Sequence, residues 1–533
     1  MAVPAQKEAG VRDLKPYLVC LSLANLIFVK PWTAMYRIRI EEPSAVSTPA
    51  FAALLEATVI DVLIAFVIFA SLVYLVRRSK RPGLHTFGMC VFLFICTFPI
   101  ERLCWVAFDR LQSTPVAPVM KLVWGLLLAV PLLGCVLLVV YSNRVIARAA
   151  INALLITVPL LPLNAGNMLW SMLNARSASR PKLAQPAPGT PDRRLVWIIF
   201  DELDYRLAFQ SRPPGINLPE LDRLRSESLH ATAAVSPAPN TEESMPALIT
   251  GKLSTKASEL AQVRTVFTDM RERGLNSGVV GWYIPYCRAM SQDVVDCVQP
   301  TADVLLSSDL ATVIGQQWSD RLGQNWIITR FTKYGRNMVP WFGWAERQQQ
   351  KLGFVYMREQ ALKLVADPRL GFVFFHFPIP HPLGIYNRHT GEIVADPQSN
   401  YIDNLLLVDR TLGELRQALA AANLEENTDL IVSSDHPLRV NAWIKSEVWD
   451  QEEARDTGNQ MAKFVPFLVH LPADANAAEY PKPMNTIVSK NLAAALVRGS
   501  LRTNADVARW LDVATHGSRL TTAKSGGGVS LER

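Results

Sequence analysis

Three runs in the second half of the chain place acids and imidazoles directly after apolar stretches. Asp201 and Glu202, with Asp204 close behind, follow "LVWIIF"; Asp435 and His436 follow "LIVSS"; His376 and His381 sit in "FHFPIPHPLG". Carboxylates and imidazoles together suit Zn²⁺ or Mn²⁺ better than Ca²⁺, which prefers all-oxygen sites. One acid after a buried strand is commonly just the exposed start of a loop, but three such clusters point to a divalent-metal site. A fourth run, "SPAPNTEES" before "MPALITG", puts Thr241 in a polar turn at the start of an expected helix. Either Asn240 or Thr241 can cap that helix, and Glu243 lies three positions after Asn240, as in a capping box. A helix N-terminus also offers N–H groups to a bound anion. A threonine hydroxyl there, deprotonated beside a metal ion, can attack phosphorus while the ion offsets charge on the transferred oxygens.

The elements that must carry these residues alternate. Leu195 to Phe200 reads as a buried strand, from its β-branched and aromatic content. "LPELDRLRSESL" follows as a helix, then "VRTVFTDMRERG" as a helix and "LNSGVVGWYI" as a strand. "LGFVFFHFPIPHP", "NTDLIVSSDH" and "KFVPFLVHLP" read as further strands, and "YIDNLLLVDRTLGELRQALAAANL" as a long helix. Strands that alternate with helices and end in polar residues predict an α/β sheet covered on both faces, with function at the C-terminal strand ends.

The first 172 residues are of another kind. Five apolar stretches stand out, roughly Leu18 to Val29, Ala52 to Val76, Thr86 to Phe108, Val116 to Tyr141 and Val145 to Leu169. About 20 apolar residues cross a bilayer. The second stretch carries Glu56 and Asp61, the third carries Glu101 and Arg102, and Lys30 and Pro31 cut the first short. A cleaved signal peptide is the alternative for that first stretch, but no clear small-residue cleavage site follows Val29. Lys7, Arg12 and Lys15, then Arg77, Arg78, Lys80 and Arg81, then Arg144 and Arg148 fall on one side if there are five spans. Arg37 and Arg39 are exceptions. The N-terminus is then cytoplasmic and everything beyond about residue 172 extracytoplasmic, in a bacterial inner membrane.

The whole chain has 533 residues, a formal charge of +7, 50% apolar and 19% charged residues, which excludes wholesale disorder. The excess of basic residues has no aromatic interleaving, so nucleic acid is not expected as a partner. The expected layout is a transmembrane region over 1–173, a linker over 174–193, a catalytic domain over 194–514 and a disordered tail over 515–533. In an oxidising compartment Cys287 and Cys297 are expected to pair, two buried free thiols being the alternative. Cys20, Cys90, Cys96, Cys104 and Cys135 read as small apolar fillers.

With "IIFDE", "TEESMP", "PHP" and "SDH" in this order, the second half resembles the alkaline phosphatase/sulfatase superfamily. Within it the chain is similar to membrane-anchored phosphoethanolamine transferases and lipoteichoic-acid synthases. That resemblance implies a multi-pass helical membrane region followed by an α/β alkaline-phosphatase-like (sulfatase-like) domain. It implies Thr241 as nucleophile in a Thr-x-x-Ser-x-Pro setting with Ser244 and Pro246. It also implies metal ligation by Asp201, with Glu202 as neighbour, together with Thr241, Asp435 and His436. His381, aided by His376, would protonate the leaving alkoxide or orient the phosphate. Two departures stand out. Pro437 follows His436 where the family has Gly, and no further His occurs until His470, so Arg439 becomes the candidate phosphate clamp. Nothing at Thr241 fits the Cys/Ser-x-Pro-x-Arg motif of true sulfatases. The implied function is metal-dependent transfer of a phospho-head group from a membrane lipid donor to an envelope glycan or lipid. A tethered phosphodiesterase or sulfatase-like hydrolase is one alternative, and a non-catalytic receptor or assembly protein with a degenerate site another.

Overall fold

A computed structural model describes residues 6–33, 48–79, 154–174, 182–300, 310–324, 344–444 and 449–515, two short strands at 519–522 and 529–532, and isolated positions elsewhere. The chain divides into two compact units, residues 1–178 with 306–345, and residues 179–305 with 346–533.

In the first unit the described helices are α1 (Gln6–Ile27), α2 (Thr48–Arg78), α3 (Leu160–Asn174) and α6 (Leu310–Gln324). The apolar run Phe51–Arg78 in α2 has 28 residues. At 1.5 Å per residue it is about 42 Å long, more than the roughly 30 Å hydrocarbon core. Leu63, Val67, Ile68 and Leu75 point outward from it, as lipid-facing residues would. It is the only helix among the described residues that is long and apolar enough to cross a membrane. The five-span region is therefore not shown. In α1 only Leu14–Ile27 is apolar, and the apolar helix at Leu154–Trp170 also falls short. Span four and most of span three lie outside the described residues.

Helix α6 packs on this unit although its residues fall within the range expected for the catalytic domain. The Trp318 indole donates to Asp61 Oδ1 at 2.9 Å and the Gln317 amide to Thr58 at 3.1 Å, while Arg321 reaches the Ile27 carbonyl at 3.4 Å. Trp318 also meets Phe28 edge-on. These contacts give Asp61, an acid within an apolar helix, a polar partner. Val313, Gln317, Trp318 and Arg321 share one helical face, but three of the four are not aliphatic, so the apolar pattern does not reveal it.

The second unit is built on an eight-stranded sheet. Its strands are β1 (Arg194–Asp201), β2 (Ser228–Ala231), β3 (Ser277–Val280), β4 (Asp296–Val298), β5 (Phe372–Pro380), β6 (Thr428–Ser434), β7 (Phe467–His470) and β8 (Ala478–Tyr480). In space they run β8-β2-β7-β6-β1-β5-β3-β4. The sheet is mixed: β1 pairs in parallel with β5 and β6, and β3 in parallel with β4 and β5, whereas β7 is antiparallel to both neighbours. Every residue of β1 is buried. Val196, Ile198 and Phe200 enter one core, with Leu221 and Leu224 of α4 (Pro219–Ser226), Phe354 and Met357 of α7 (Trp344–Val365), and Leu405 and Val408 of α8 (Tyr401–Ala421). Leu195, Trp197 and Ile199 enter the other, with Met245 and Leu248 of α5 (Thr241–Thr250), Leu492 of α9 (Ser489–Val497) and Leu511 of α10 (Asn504–Thr515). The period of two explains the split, and each such side chain contributes about 1.5–3 kcal/mol when fully buried. The tail expected to be disordered contains an antiparallel pairing of Arg519–Thr522 with Val529–Glu532; the threonines and valine of these runs favour extended backbone.

One buried histidine lies away from the strand ends. His230 on β2 stacks on Tyr205 and Phe209, faces Arg225 and Glu479, and its Nε2 has no partner. Burial first, then Arg225, lowers its pKa from 6.5 to about 4. Between those values the unfolded chain binds a proton that the folded chain does not, so stability falls as pH drops from about 6.5 to 4. The loss is expected to reach about 3 kcal/mol. Denaturant unfolding from pH 7.5 to 4.5 checks this, and His230→Phe should flatten the profile.

Candidate metal centre and nucleophile

Parallel pairing brings the C-terminal ends of β1, β5, β6 and β3 to one edge. Phe200 lies opposite Ser434, and Ile199 opposite His376, so the acids that follow β1 and β6 meet. The register slips between Phe200 and Asp201, and Glu202 adopts a left-handed φ of 62°. This sharp exit sends the two neighbouring carboxylates to different places.

Asp201, Asp435 and His436 form one cluster, with one potential ligand atom from each lying within 4.8 Å of the others. His436 Nε2 is 3.6 Å from Asp201 Oδ1 and 3.3 Å from Asp435 Oδ2. All three residues are buried, and Asp201 Oδ1 and Asp435 Oδ2 have no hydrogen-bond partner. Burial, then Asp435 and Glu202, raises the Asp201 pKa well above the usual carboxylate range. For Asp435, burial acts upward but is outweighed by His436, His376 and the Thr241 hydroxyl, and its pKa lies below the ordinary value. His436 Nδ1 lies 3.1 Å from the Pro437 carbonyl, which can only accept, so the proton sits on Nδ1 and the Nε2 lone pair faces the carboxylates. Two unpartnered carboxylate oxygens and one imidazole lone pair are a donor set that fits a divalent ion.

Thr241 is the first residue of α5. Asn240 is the cap, its side chain accepting from the Glu243 N–H at 2.9 Å; the return bond of a capping box is absent. Thr241 is thereby left free to turn inward, where its hydroxyl lies 3.2 Å from His436 Nε2 and, near Asp435, helps to lower that acid's pKa. Ser244, one turn on, donates to the Asp435 carbonyl at 2.5 Å and ties α5 to the loop after β6.

Glu202 stands apart from that cluster. Its Oε1 accepts from Arg439 Nε at 2.5 Å and its Oε2 from the Trp443 indole at 2.9 Å and from the Arg439 backbone N–H at 3.3 Å. His381 Nε2 is 4.0 Å from Oε1. His381 Nδ1 is 2.9 Å from the Pro382 carbonyl, so its Nε2 also carries the lone pair, and burial lowers its pKa. His376 is fully buried. Its Nδ1 contacts Tyr286 Oη at 3.0 Å, its Nε2 has no partner, and burial lowers its pKa to about 4. Cys287 and Cys297 are disulfide-bonded and join the helical turn Tyr286–Ala289 to β4.

Several supporting residues lay beyond sequence reasoning. Tyr401 donates to the Glu202 carbonyl at 2.7 Å and accepts from the Asp204 N–H. Ser434 Oγ holds the loops after β1 and β6 together through Phe200 O, His436 O and Leu203 N. Tyr286 and Trp443 join them. Only Ser434 had a signal, its place beside Asp435 in "SSDH".

A buried threonine hydroxyl at a helix N-terminus stands beside a cluster of acids and an imidazole that could hold a metal ion, at the C-terminal edge of the sheet. The sulfatase family model matches residues 193–497, more than half of the chain, and the protein belongs to that family within the alkaline phosphatase/sulfatase superfamily. It is thus an enzyme acting on ester substrates, not the non-catalytic receptor of the alternative reading. No curated protein matches in sequence. Among solved structures, a sulfatase from Pseudoalteromonas sp. is 15% identical, covering 57% of this chain and 67% of its own, with a TM-score of 0.39. A phosphonate monoester hydrolase from Silicibacter pomeroyi is 11% identical (57% and 73% covered, TM-score 0.38), and the lipoteichoic acid synthase LtaP from Listeria monocytogenes 12% identical (56% and 71%, TM-score 0.36).

Proposed function

We propose that the protein transfers a phospho-head group from a membrane phospholipid to an envelope glycan or lipid, through a covalent intermediate on Thr241. The observation that carries this reading is the Thr241 hydroxyl, buried at the start of α5 and in contact with both His436 and Asp435. A divalent ion, Zn²⁺ or Mn²⁺, held by Asp201, Asp435 and His436 and reached by Thr241, would lower the hydroxyl pKa and offset charge on the phosphoryl oxygens. The chain's own residues supply the rest. Thr241 Oγ1 forms the bond to phosphorus as the lipid alkoxide leaves. Arg439, held by Glu202, presents the outer nitrogens of its guanidinium to the phosphoryl oxygens. His381 Nε2 takes the proton of the incoming acceptor hydroxyl, whose oxygen displaces Thr241. His376, braced by Tyr286, keeps its Nε2 free for the phosphate.

The membrane setting belongs to the same reading. The spanning-length helix α2 and the three basic clusters on one side support a multi-pass anchor in the bacterial cytoplasmic membrane, with the catalytic domain outside. An oxidised Cys287–Cys297 pair suits that compartment. Membership of the sulfatase family favours a second reading, in which water resolves the intermediate and the protein is a tethered phosphodiesterase or sulfatase-like hydrolase.

The test is the intact mass of detergent-solubilised protein after incubation with a phospholipid and Zn²⁺ or Mn²⁺. A head-group-sized phospho-adduct on the wild type, absent from Thr241→Ala, is expected. Metal binding with no adduct from any phospholipid, together with free head group accumulating in solution, would replace transfer by hydrolysis.

A further inference from the structure

The catalytic unit holds a cavity of about 340 Å³, lined by the short hairpin Tyr386–Ile393, the start of α8, and Asp450 and Glu452. That volume is at the lower end of the range of small-ligand pockets. Its floor is a closed network. Arg388 donates to Glu452 through both outer nitrogens, at 2.9 and 2.7 Å, to Asn400 at 3.2 Å, and to Asp403. The Asn400 amide in turn donates to Asp450 at 2.9 Å and to Glu452 at 2.6 Å. Groups that hold one another in this way keep the cavity preformed. The rim differs. Asn387 Oδ1 and Asp396 Oδ1 accept backbone N–H groups of their own turns. The Asn387 Nδ2, the His389 imidazole, Asp396 Oδ2 and the Gln398 amide have no partner among the described residues.

This lining selects a ligand largely by exclusion. The four carboxylates Asp396, Asp403, Asp450 and Glu452 against the one guanidinium of Arg388 leave a charge of −3, which repels phosphate, sulfate and acidic sugars. No apolar side chain among the described residues lines it, so an acyl chain would gain little there. Spare amide donors beside spare carboxylate and carbonyl acceptors instead match neighbouring hydroxyls, each of which both donates and accepts. The cavity also adjoins the reaction centre. Asn404, one turn after Asn400, donates to the His381 carbonyl at 3.1 Å, and Tyr401 to the Glu202 carbonyl at 2.7 Å. Arg347 ties the Ser399 carbonyl to that of Gly384, three residues after His381, with 2.8 Å to each.

Resting on the transfer reading above, we propose that this cavity is the acceptor subsite and holds a sugar ring of an envelope glycan, uncharged or amino-substituted. The acceptor is then a glycan hydroxyl anchored beside His381. Its oxygen bonds to phosphorus as the bond to Thr241 Oγ1 breaks, and its proton passes to His381 Nε2.

The test is saturation-transfer NMR on the full chain in a detergent without a sugar head group, with maltotriose, the glucosamine trisaccharide and trigalacturonate as probes. At least one of the first two is expected to bind, about tenfold or more tightly than the acidic trigalacturonate. Gln398→Ala and Asp396→Ala, both at the rim and outside the floor network, should each weaken that binding by about three- to tenfold. Failure of both sugars to bind, equal binding of trigalacturonate, or an affinity unmoved in both variants would overturn the proposal. Spermidine binding where neither sugar does would make the cavity a polyamine site instead. The adduct on Thr241 is read separately. Sugar binding with no adduct would remove the transfer reading, and the acceptor role with it, but not the sugar site. An adduct with no sugar binding would overturn the subsite alone.

Discussion

Thr241→Ala is expected to lower kcat by about 10³-fold or more while leaving the fold in place. The side chain is small, Asn240 already caps α5, and Ser244 still fastens the helix to the Asp435 carbonyl. Its removal therefore takes away one hydroxyl and little packing. Thr241→Ser keeps the hydroxyl and should recover most of the rate, its loss confined to freer rotation about χ1. Steady-state turnover of a phosphodiester, with thermal unfolding as the control for folding, checks both variants. A Thr241→Ala enzyme within tenfold of wild type would remove threonine from the mechanism and leave Asp201 and Asp435 to activate water directly.

The second large effect concerns Asp201, whose charged form is disfavoured by burial and by Asp435 and Glu202, and has opposite signs with and without metal. In the metal-free chain Asp201 Oδ1 and Asp435 Oδ2 face the same buried space without partners, and like charges there oppose folding. Asp201→Asn removes one charge. Asp435 keeps its charge and its bonds from the His436 N–H (2.8 Å) and the Glu202 N–H (3.2 Å). The metal-free variant should accordingly be more stable than metal-free wild type, by about 1–3 kcal/mol. In saturating Zn²⁺ the order reverses. Wild type gains about 2.7 kcal/mol at a hundred times its Kd, whereas the variant, short of one ligand charge, gains little. Thermal melts of both proteins in chelator and in Zn²⁺ give the four values needed. Equal metal-induced shifts would place the ion elsewhere.

Much of this site could be read from the chain, because strand-end chemistry is local. An apolar run that stops at an acid marks both the strand and the residue at its tip, so Asp201, Asp435, His436 and Thr241 stood out before any fold was known. The resemblance added which of them work together. Partner choice across the fold is not local. Glu202 looked equivalent to Asp201 in the sequence, yet a left-handed φ turns it toward Arg439 and Trp443, and nothing in the spacing encodes that turn. Tyr401 and Tyr286 reach the site from elements about 200 and 85 positions away from Asp201. The same limit applies to residues 306–345. Their docking face carries Gln317, Trp318 and Arg321, whose partners are an acid, a threonine and a carbonyl on other helices.

The position of residues 306–345 also bears on how the protein is made. Strand β1 is complete at residue 201, but its two neighbours, β5 and β6, come only after the inserted segment, at Phe372 and Thr428. At about 5–20 residues per second a ribosome needs roughly 10–50 s to travel from the first strand to the last of these three. Until β5 is made, the apolar run Leu195–Phe200 has neither lateral partner, and until β6 follows one of its edges stays open to other chains. The active site, whose parts lie at residues 201, 241 and 435, closes only near the end of synthesis. A nascent chain that stalls between the insert and Thr428 would present an apolar strand with an open edge before its late acid and imidazole, Asp435 and His436, have been made.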